Sequence, residues 1–164
     1  MTDRIRLALL FLVLLAFFAA RAGGAVAGIE HPDPPPQKVS AAAAEARDEA
    51  RVVRYARRLV GVPYSFGGSS PSSGFDCSGF TSFVYAHFGI VLPHYSVAQF
   101  SLGRRISRER LQPGDLVFFD GLGHVGLYIG HEQFIHAPHS GTSVTVESMD
   151  GWYASRYDGA RRVL

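Results

Sequence analysis

The chain carries a single cysteine, Cys77, among its 164 residues, so it cannot close an intramolecular disulfide. No apolar run reaches the ~20 residues of a transmembrane helix; Leu7 to Ala20 is the longest and stops short. No patch of Lys and Arg interleaved with aromatics is present, which removes the usual footprint of nucleic-acid binding. Seven histidines invite a zinc site, but His131, His136 and His139 match no common zinc spacing and the cysteine is distant. There is no internal repeat. Charged residues make up 18% and apolar ones 47%, a balance that excludes a disordered chain and leaves one globular domain with a real core.

Part of the apolar content belongs to export rather than to the fold. Arg4 and Arg6 precede the run Leu7 to Ala20, and Ala25-Val26-Ala27 offers a small-x-small cleavage site. Residues 1–27 therefore read as a secretory signal peptide, with an uncleaved N-terminal membrane anchor as the alternative. Removal of residues 1–27 takes away Arg4, Arg6, Arg21 and Asp3, and the formal charge falls from +2 to zero. The expected location is periplasmic or extracellular, associated with the cell wall, with no stable membrane span after cleavage. An exported protein that keeps one free thiol needs a chemical reason for it.

Residues 28–45 read as a linker rich in Pro and Ala, and residues 46–164 as the folded domain. Ser40 to Val60 has helical character, with Val52, Val53, Ala56, Leu59 and Val60 on one face and Gly61 as a stop. A loop with Gly67-Gly68, Pro71 and Gly74 follows. A second helix runs from Cys77 to about His87 with Asp76 as N-cap, and a short third lies near Ser96–Leu102. From Gln112 the pattern turns to strands: Leu116–Phe119, His124–Ile129, Gln133–His136 and Ser143–Ser148. Asp115 reads as a turn residue ahead of the first of these. Helices first and strands after imply an α+β fold, with helices packed on an antiparallel sheet.

Cys77 opens its helix, where unpaired backbone N–H groups and the helix dipole favour a thiolate. A thiol nucleophile needs a base, and the base needs an orienting group. His124 begins one strand and His136 ends the next. With a three-residue loop Gly130-His131-Glu132, Gly126 faces His136, and His124 shares a face with His136 one diagonal step away; a two-residue loop separates them. The expected roles are Cys77 as nucleophile, His124 as base then acid, and His136 as orienter of the His124 ring. Asp76 and Ser78, which flank the nucleophile, are the candidates for substrate binding.

Gly61-Val62-Pro63-Tyr64 with Gly67-Gly68, then Phe75-Asp76-Cys77-Ser78-Gly79-Phe80, resemble the NlpC family of papain-like cell-wall cysteine peptidases. Leu92-Pro93, Ser96 and Gln99 continue the pattern. Leu111 to Phe119, Gly123 to Gly130, Phe134 to Pro138 and the closing Ala160 to Val163 complete it in unbroken order. The resemblance implies a trimmed papain-like fold and a monomer that cuts peptidoglycan stem peptides, usually between D-γ-glutamyl and a diamino acid. It implies catalytic roles for Cys77, His124 and His136, an oxyanion-side role for Tyr64, and no metal or organic cofactor. His94 stands where the family often has Arg, and Phe66 where it often has Trp. A catalytically silent wall-binding module on the same fold, or an acyltransferase using the same acyl-enzyme, are the alternative functions.

Overall fold

A computed structural model describes residues 40–164; the segments read as a secretory signal (1–27) and, up to residue 39, as a linker lie outside the described residues. Helix α1 spans Ala41–Arg57, and Ser40 caps it by accepting a hydrogen bond from the Ala43 N–H. The helix thus begins within the segment read as linker. Val52, Ala56 and Leu59 are buried as the periodicity predicts, but Val60 is exposed, because the helix ends at Arg57 and Val60 falls in the turn beyond it. Helix α2 spans Cys77–Ala86 behind the Asp76 cap, and α3 spans Ser96–Phe100.

Strands β1 (Ser69–Ser70) and β2 (Gly74–Phe75) form a small hairpin just ahead of α2. The main sheet contains β3 (Arg104–Ile106), β4 (Leu116–Phe119), β5 (His124–Gly130), β6 (Gln133–His136), β7 (Thr145–Ser148) and β8 (Tyr157–Arg162). Its order is β3-β8-β4-β5-β6-β7, with every neighbouring pair antiparallel. This is the α+β arrangement expected. Sequence patterning located β4 to β7, whereas β1, β2, β3 and β8 are too short or too charged to declare themselves: β3 carries Arg104 and Arg105, and β8 carries Asp158, Arg161 and Arg162.

The sheet is buried on both faces, which explains why β4 and β5 read as nearly continuous apolar runs. Leu116, Phe118, Val125, Leu127, Ile129 and Ile135 pack with Val52, Ala56, Phe80 and Val84 of the helices. Val117, Phe119, Tyr128 and Phe134 face the opposite way and meet Met149, Tyr153 and Tyr157. Alternation therefore sends His124, Gly126 and Tyr128 to the face away from the helices, together with Phe134 and His136.

The β5–β6 connection reaches the required register by a different route from the one expected. Its loop has two residues, His131 and Glu132, both with left-handed backbones (φ 54° and 52°), and Gly130 pairs with Gln133. Such a loop alone would put the two histidines on opposite faces. A bulge between Tyr128 and Gly130 inserts the missing residue, so Tyr128 pairs with Phe134 and Leu127 with Ile135. Gly126 then falls opposite His136, as the three-residue loop would have placed it.

Asp115 is more than a turn residue. It accepts from the Gln112 N–H and takes both Arg162 donors at 2.7 and 2.8 Å, while almost fully buried. This two-pronged ion pair fastens β8 to the start of β4.

Gly126 lies under the Phe134 ring, and a Cβ there would come within 2.5 Å of the ring edge and 3.0 Å of the Ile135 carbonyl. Gly126→Ala is expected to cost about 1–3 kcal/mol of stability by overpacking, with Phe134 and the neighbouring His136 displaced. Urea unfolding of the variant checks this; unchanged stability would mean the strand pair has more slack than the packing indicates.

Candidate active site

The site is assembled around the first turn of α2. Asp76 Oδ1 accepts from the Gly79 N–H at 2.7 Å, from Ser78 Oγ at 3.2 Å, and faces His94 Nε2 at 2.7 Å; Oδ2 accepts from the Gly67 N–H at 2.9 Å. One carboxylate therefore caps the helix and pins the Gly67-Gly68 loop against it. The glycines permit that approach: a Cβ on Gly79 would collide with the Gly68 carbonyl oxygen, and one on Gly68 with the Gly74 carbonyl. These internal partners engage Asp76, and Ser78 is buried beside it, so both fix the first turn of α2 around Cys77.

Tyr64 reaches the nucleophile from the same loop. Its N–H donates to the Thr142 carbonyl at 2.9 Å, and its backbone bridges to Phe75. Burial raises its phenol pKa, and the nearby Cys77 and Asp76 charges raise it further, so the hydroxyl stays a donor. His94, where Arg was the usual family residue, completes the ties to Asp76; Phe66 is exposed on the loop that Asp76 holds.

The Cys77 thiol is partly buried, and the Val125, Ser78 and Cys77 N–H groups point at it. Those donors favour the thiolate, as the helix N-terminus predicts, but burial outweighs them and the net shift is upward. Burial and the N–H donors thus act on the thiol in opposite directions, and burial is the larger.

Val125, whose N–H meets the sulfur, directly follows His124. His124 Nε2 lies 2.7 Å from His136 Nδ1, with the rings nearly perpendicular. Burial lowers His124 to about 4, against a partly compensating Asp120 charge, and lowers His136 to about 2, helped by the His124 and His139 charges. Both are neutral near pH 7. Nε2 of His124 is committed to His136, which leaves Nδ1 as its other ring nitrogen.

The turn that delivers His124 is fixed from two sides. Ser96 Oγ donates to the Leu122 carbonyl at 2.6 Å, and the Leu122 N–H donates to Asp158 Oδ2 at 2.8 Å. Asp120 and Leu122 both hold left-handed backbones there. Gln99, fully buried, donates to the Ser78 and Pro93 carbonyls and accepts from Thr81 Oγ1, which locks α3 onto the nucleophile helix. Sequence reasoning noted Ser96 and Gln99 without giving them a task; two polar residues on an apolar helix were the available signal. Among the described residues no cluster of three or more His, Cys, Asp or Glu side chains is arranged to hold a metal ion.

Comparison with known proteins agrees with this geometry. Residues 61–162 match the NlpC/P60 family. The chain is 44% identical over 104 residues to a probable endopeptidase p60 of Listeria seeligeri, covering 62% of this chain and 20% of that protein. It is 38% identical over 128 residues to a gamma-DL-glutamyl hydrolase of Bacillus subtilis, covering 74% of this chain and 31% of that one. The chain thus spans a fifth to a third of the length of these relatives. A crystal structure of an NlpC/P60 family protein from Bacillus cereus superimposes with a TM-score of 0.67 at 38% identity, over 71% of this chain and 40% of that one.

The buried neutral histidines set an acid limit on stability. In the unfolded chain both protonate near pH 6.5, whereas in the fold they protonate only near 4 and 2. The unfolded state therefore binds more protons between these limits, so stability is full above pH 6.5 and is lost as pH falls. Denaturation measured from pH 7 to 4 is expected to show this loss, with the slope reduced in a His124→Gln/His136→Gln variant. An identical slope in the variant would place the acid sensitivity elsewhere.

Proposed function

Because the chain belongs to the NlpC/P60 family, we propose that it is an exported cysteine endopeptidase that hydrolyses peptidoglycan stem peptides at the bond between D-γ-glutamyl and a diamino acid. The observation that carries this reading is the 2.7 Å contact between His124 Nε2 and His136 Nδ1, with the N–H of Val125, the residue after His124, at the lone thiol on the α2 N-terminus. The bond choice is supported by the likeness to a gamma-DL-glutamyl hydrolase. Export is supported by the charged start, apolar run and small-residue site of residues 1–27.

The proposed chemistry runs through groups already placed. His124 Nδ1 takes the Cys77 proton as sulfur attacks the scissile carbonyl, since burial disfavours a free thiolate at rest. The oxyanion accepts from the Cys77 N–H at the open start of α2 and from the Tyr64 hydroxyl. Protonated His124 then gives its proton to the leaving amine. The imidazole next takes a proton from water, and the resulting hydroxide attacks the thioester. A second tetrahedral intermediate collapses, sulfur leaves and recovers its proton. No step calls on a metal or an organic cofactor.

Mass spectrometry of purified stem muropeptides incubated with the protein is the test, with Cys77→Ala in parallel. The expected result is a fragment pair split after γ-glutamyl that appears only with Cys77 intact. Tyr64→Phe is expected to retain binding and lose about 10²-fold or more in kcat, the usual scale for one oxyanion donor. Cleavage that persists in Cys77→Ala would overturn the mechanism. A ligated product with an added amine, without free acid, would make the enzyme an acyltransferase; no cleavage at all would favour the silent module.

A further inference from the structure

The line of polar groups continues past His136. With its Nδ1 against His124, the Nε2 of His136 points inward, fully buried and without a hydrogen-bond partner. The Glu147 carboxylate stands 3.7 Å from that nitrogen. Sheet geometry puts it there: Glu147 pairs with Phe134 across β6 and β7, so it lies on the face of His136, one diagonal step along. Tyr153 closes the cluster, its ring edge-on to His136 at 5.5 Å and its hydroxyl directed at Glu147.

The proton count gives this placement its meaning. A neutral imidazole carries one ring proton, and the short contact between the two rings also holds one. In one arrangement His124 Nε2 donates to His136 Nδ1. His124 Nδ1 is then bare and able to accept from Cys77, and the His136 proton sits on Nε2. In the other, His136 Nδ1 donates to His124 Nε2, which forces the His124 proton onto Nδ1 and leaves no lone pair for the thiol. The two states present different atoms to Glu147: an N–H in the competent state, a bare lone pair in the incompetent one. A carboxylate attracts the first and repels the second.

We propose that Glu147 is a positioning residue that holds the His124–His136 pair in the competent tautomer by keeping the His136 proton on Nε2. The inference rests on the assignment of Cys77, His124 and His136 above. At 3.7 Å the contact exceeds a hydrogen bond, which needs roughly 3 Å, but the Glu147 side chain is 41% exposed and has freedom to close. When Cys77 passes its proton to His124 Nδ1, the S–H bond breaks and an N–H bond forms. The imidazole pair then carries a positive charge that the burial of both rings opposes, and Glu147 supplies the opposite charge without taking a proton itself. The other titratable groups bearing on the two rings are Asp120, His139 and Tyr153.

Histidine ring ¹⁵N NMR reads the tautomer directly and needs no substrate. The full protein is expected to show both rings protonated at Nε2. In Glu147→Gln, whose amide can donate to a bare Nε2, His136 is expected to shift toward the Nδ1–H form and His124 with it. Glu147→Asp keeps the charge and is expected to restore the Nε2–H form in part. On muropeptides, Glu147→Gln is expected to lose about tenfold or more in kcat at unchanged KM, a share of the ~10²–10⁴ that a positioned general base supplies. Tautomers unchanged in Glu147→Gln would overturn the proposal, whatever the activity. An inactive wild type with the expected tautomer change would sustain it while refuting the substrate. Should Glu147→Gln not fold, Tyr153→Phe, which frees the carboxylate from its directing hydroxyl, is expected to mix the tautomers, and its failure to do so would count against the proposal equally.

Discussion

Moving β6 by one residue along β5 would carry His136 through the sheet into the apolar layer under α2 and leave His124 without its partner. Everything proposed for this chain depends on that register. It is held by a left-handed two-residue turn, a bulge that restores one residue, and a glycine that lets Phe134 lie flat against the neighbouring strand. The same alternation that buries Val125, Leu127 and Ile129 toward the helices sends the imidazoles to the other face. Core formation and assembly of the base are consequently one event: the apolar residues cannot reach their layer without delivering the histidines to theirs.

Burial then governs the chemistry. It raises the thiol and lowers both imidazoles, and so works against the charged form of each. Each charged form alone is disfavoured, whereas sulfur and ring become charged together, and the nearby N–H groups, hydroxyl and carboxylate are arranged to receive that charge. Reactivity is thereby confined to the moment when a carbonyl carbon is present to accept the sulfur. A neutral thiol is also slow to oxidise, since oxidants attack the thiolate far faster than the thiol.

Much of this was legible from the amino-acid order. Asp76 ahead of Cys77 marked the helix start, short apolar runs bounded by Gly, Asp or Pro marked β4 to β7, and register arithmetic paired the two histidines. The parts that were not legible share a cause: they depend on local backbone geometry or on charged residues buried by distant partners. The bulge in β5 leaves no trace in the apolar pattern, and His131 and Glu132 are poor advertisements for left-handed turn positions. Asp115 reads as a turn former until Arg162, far along the chain, arrives to pair with it. For the thiol, the helix N-terminus was visible in sequence and the burial that opposes it was not. Glu147 sits in a short edge strand, where an acidic residue ordinarily faces water.

The appression of the Gly67-Gly68 loop on the first turn of α2 bears on how this fold can diversify. Because Gly79 and the Gly68 carbonyl leave no room for a side chain, a substitution at Gly79 would wedge the loop outward. The oxyanion side of the pocket would open while the two apolar layers stayed intact. Such a variant would also strain the Asp76 cap and His94, which crowd the same point, so the cost would be shared between the loop and the start of α2. Exposed Phe66, carried on the same loop, has no such constraint. The loop's tip can consequently vary while its base, one carbonyl thick, admits glycine alone.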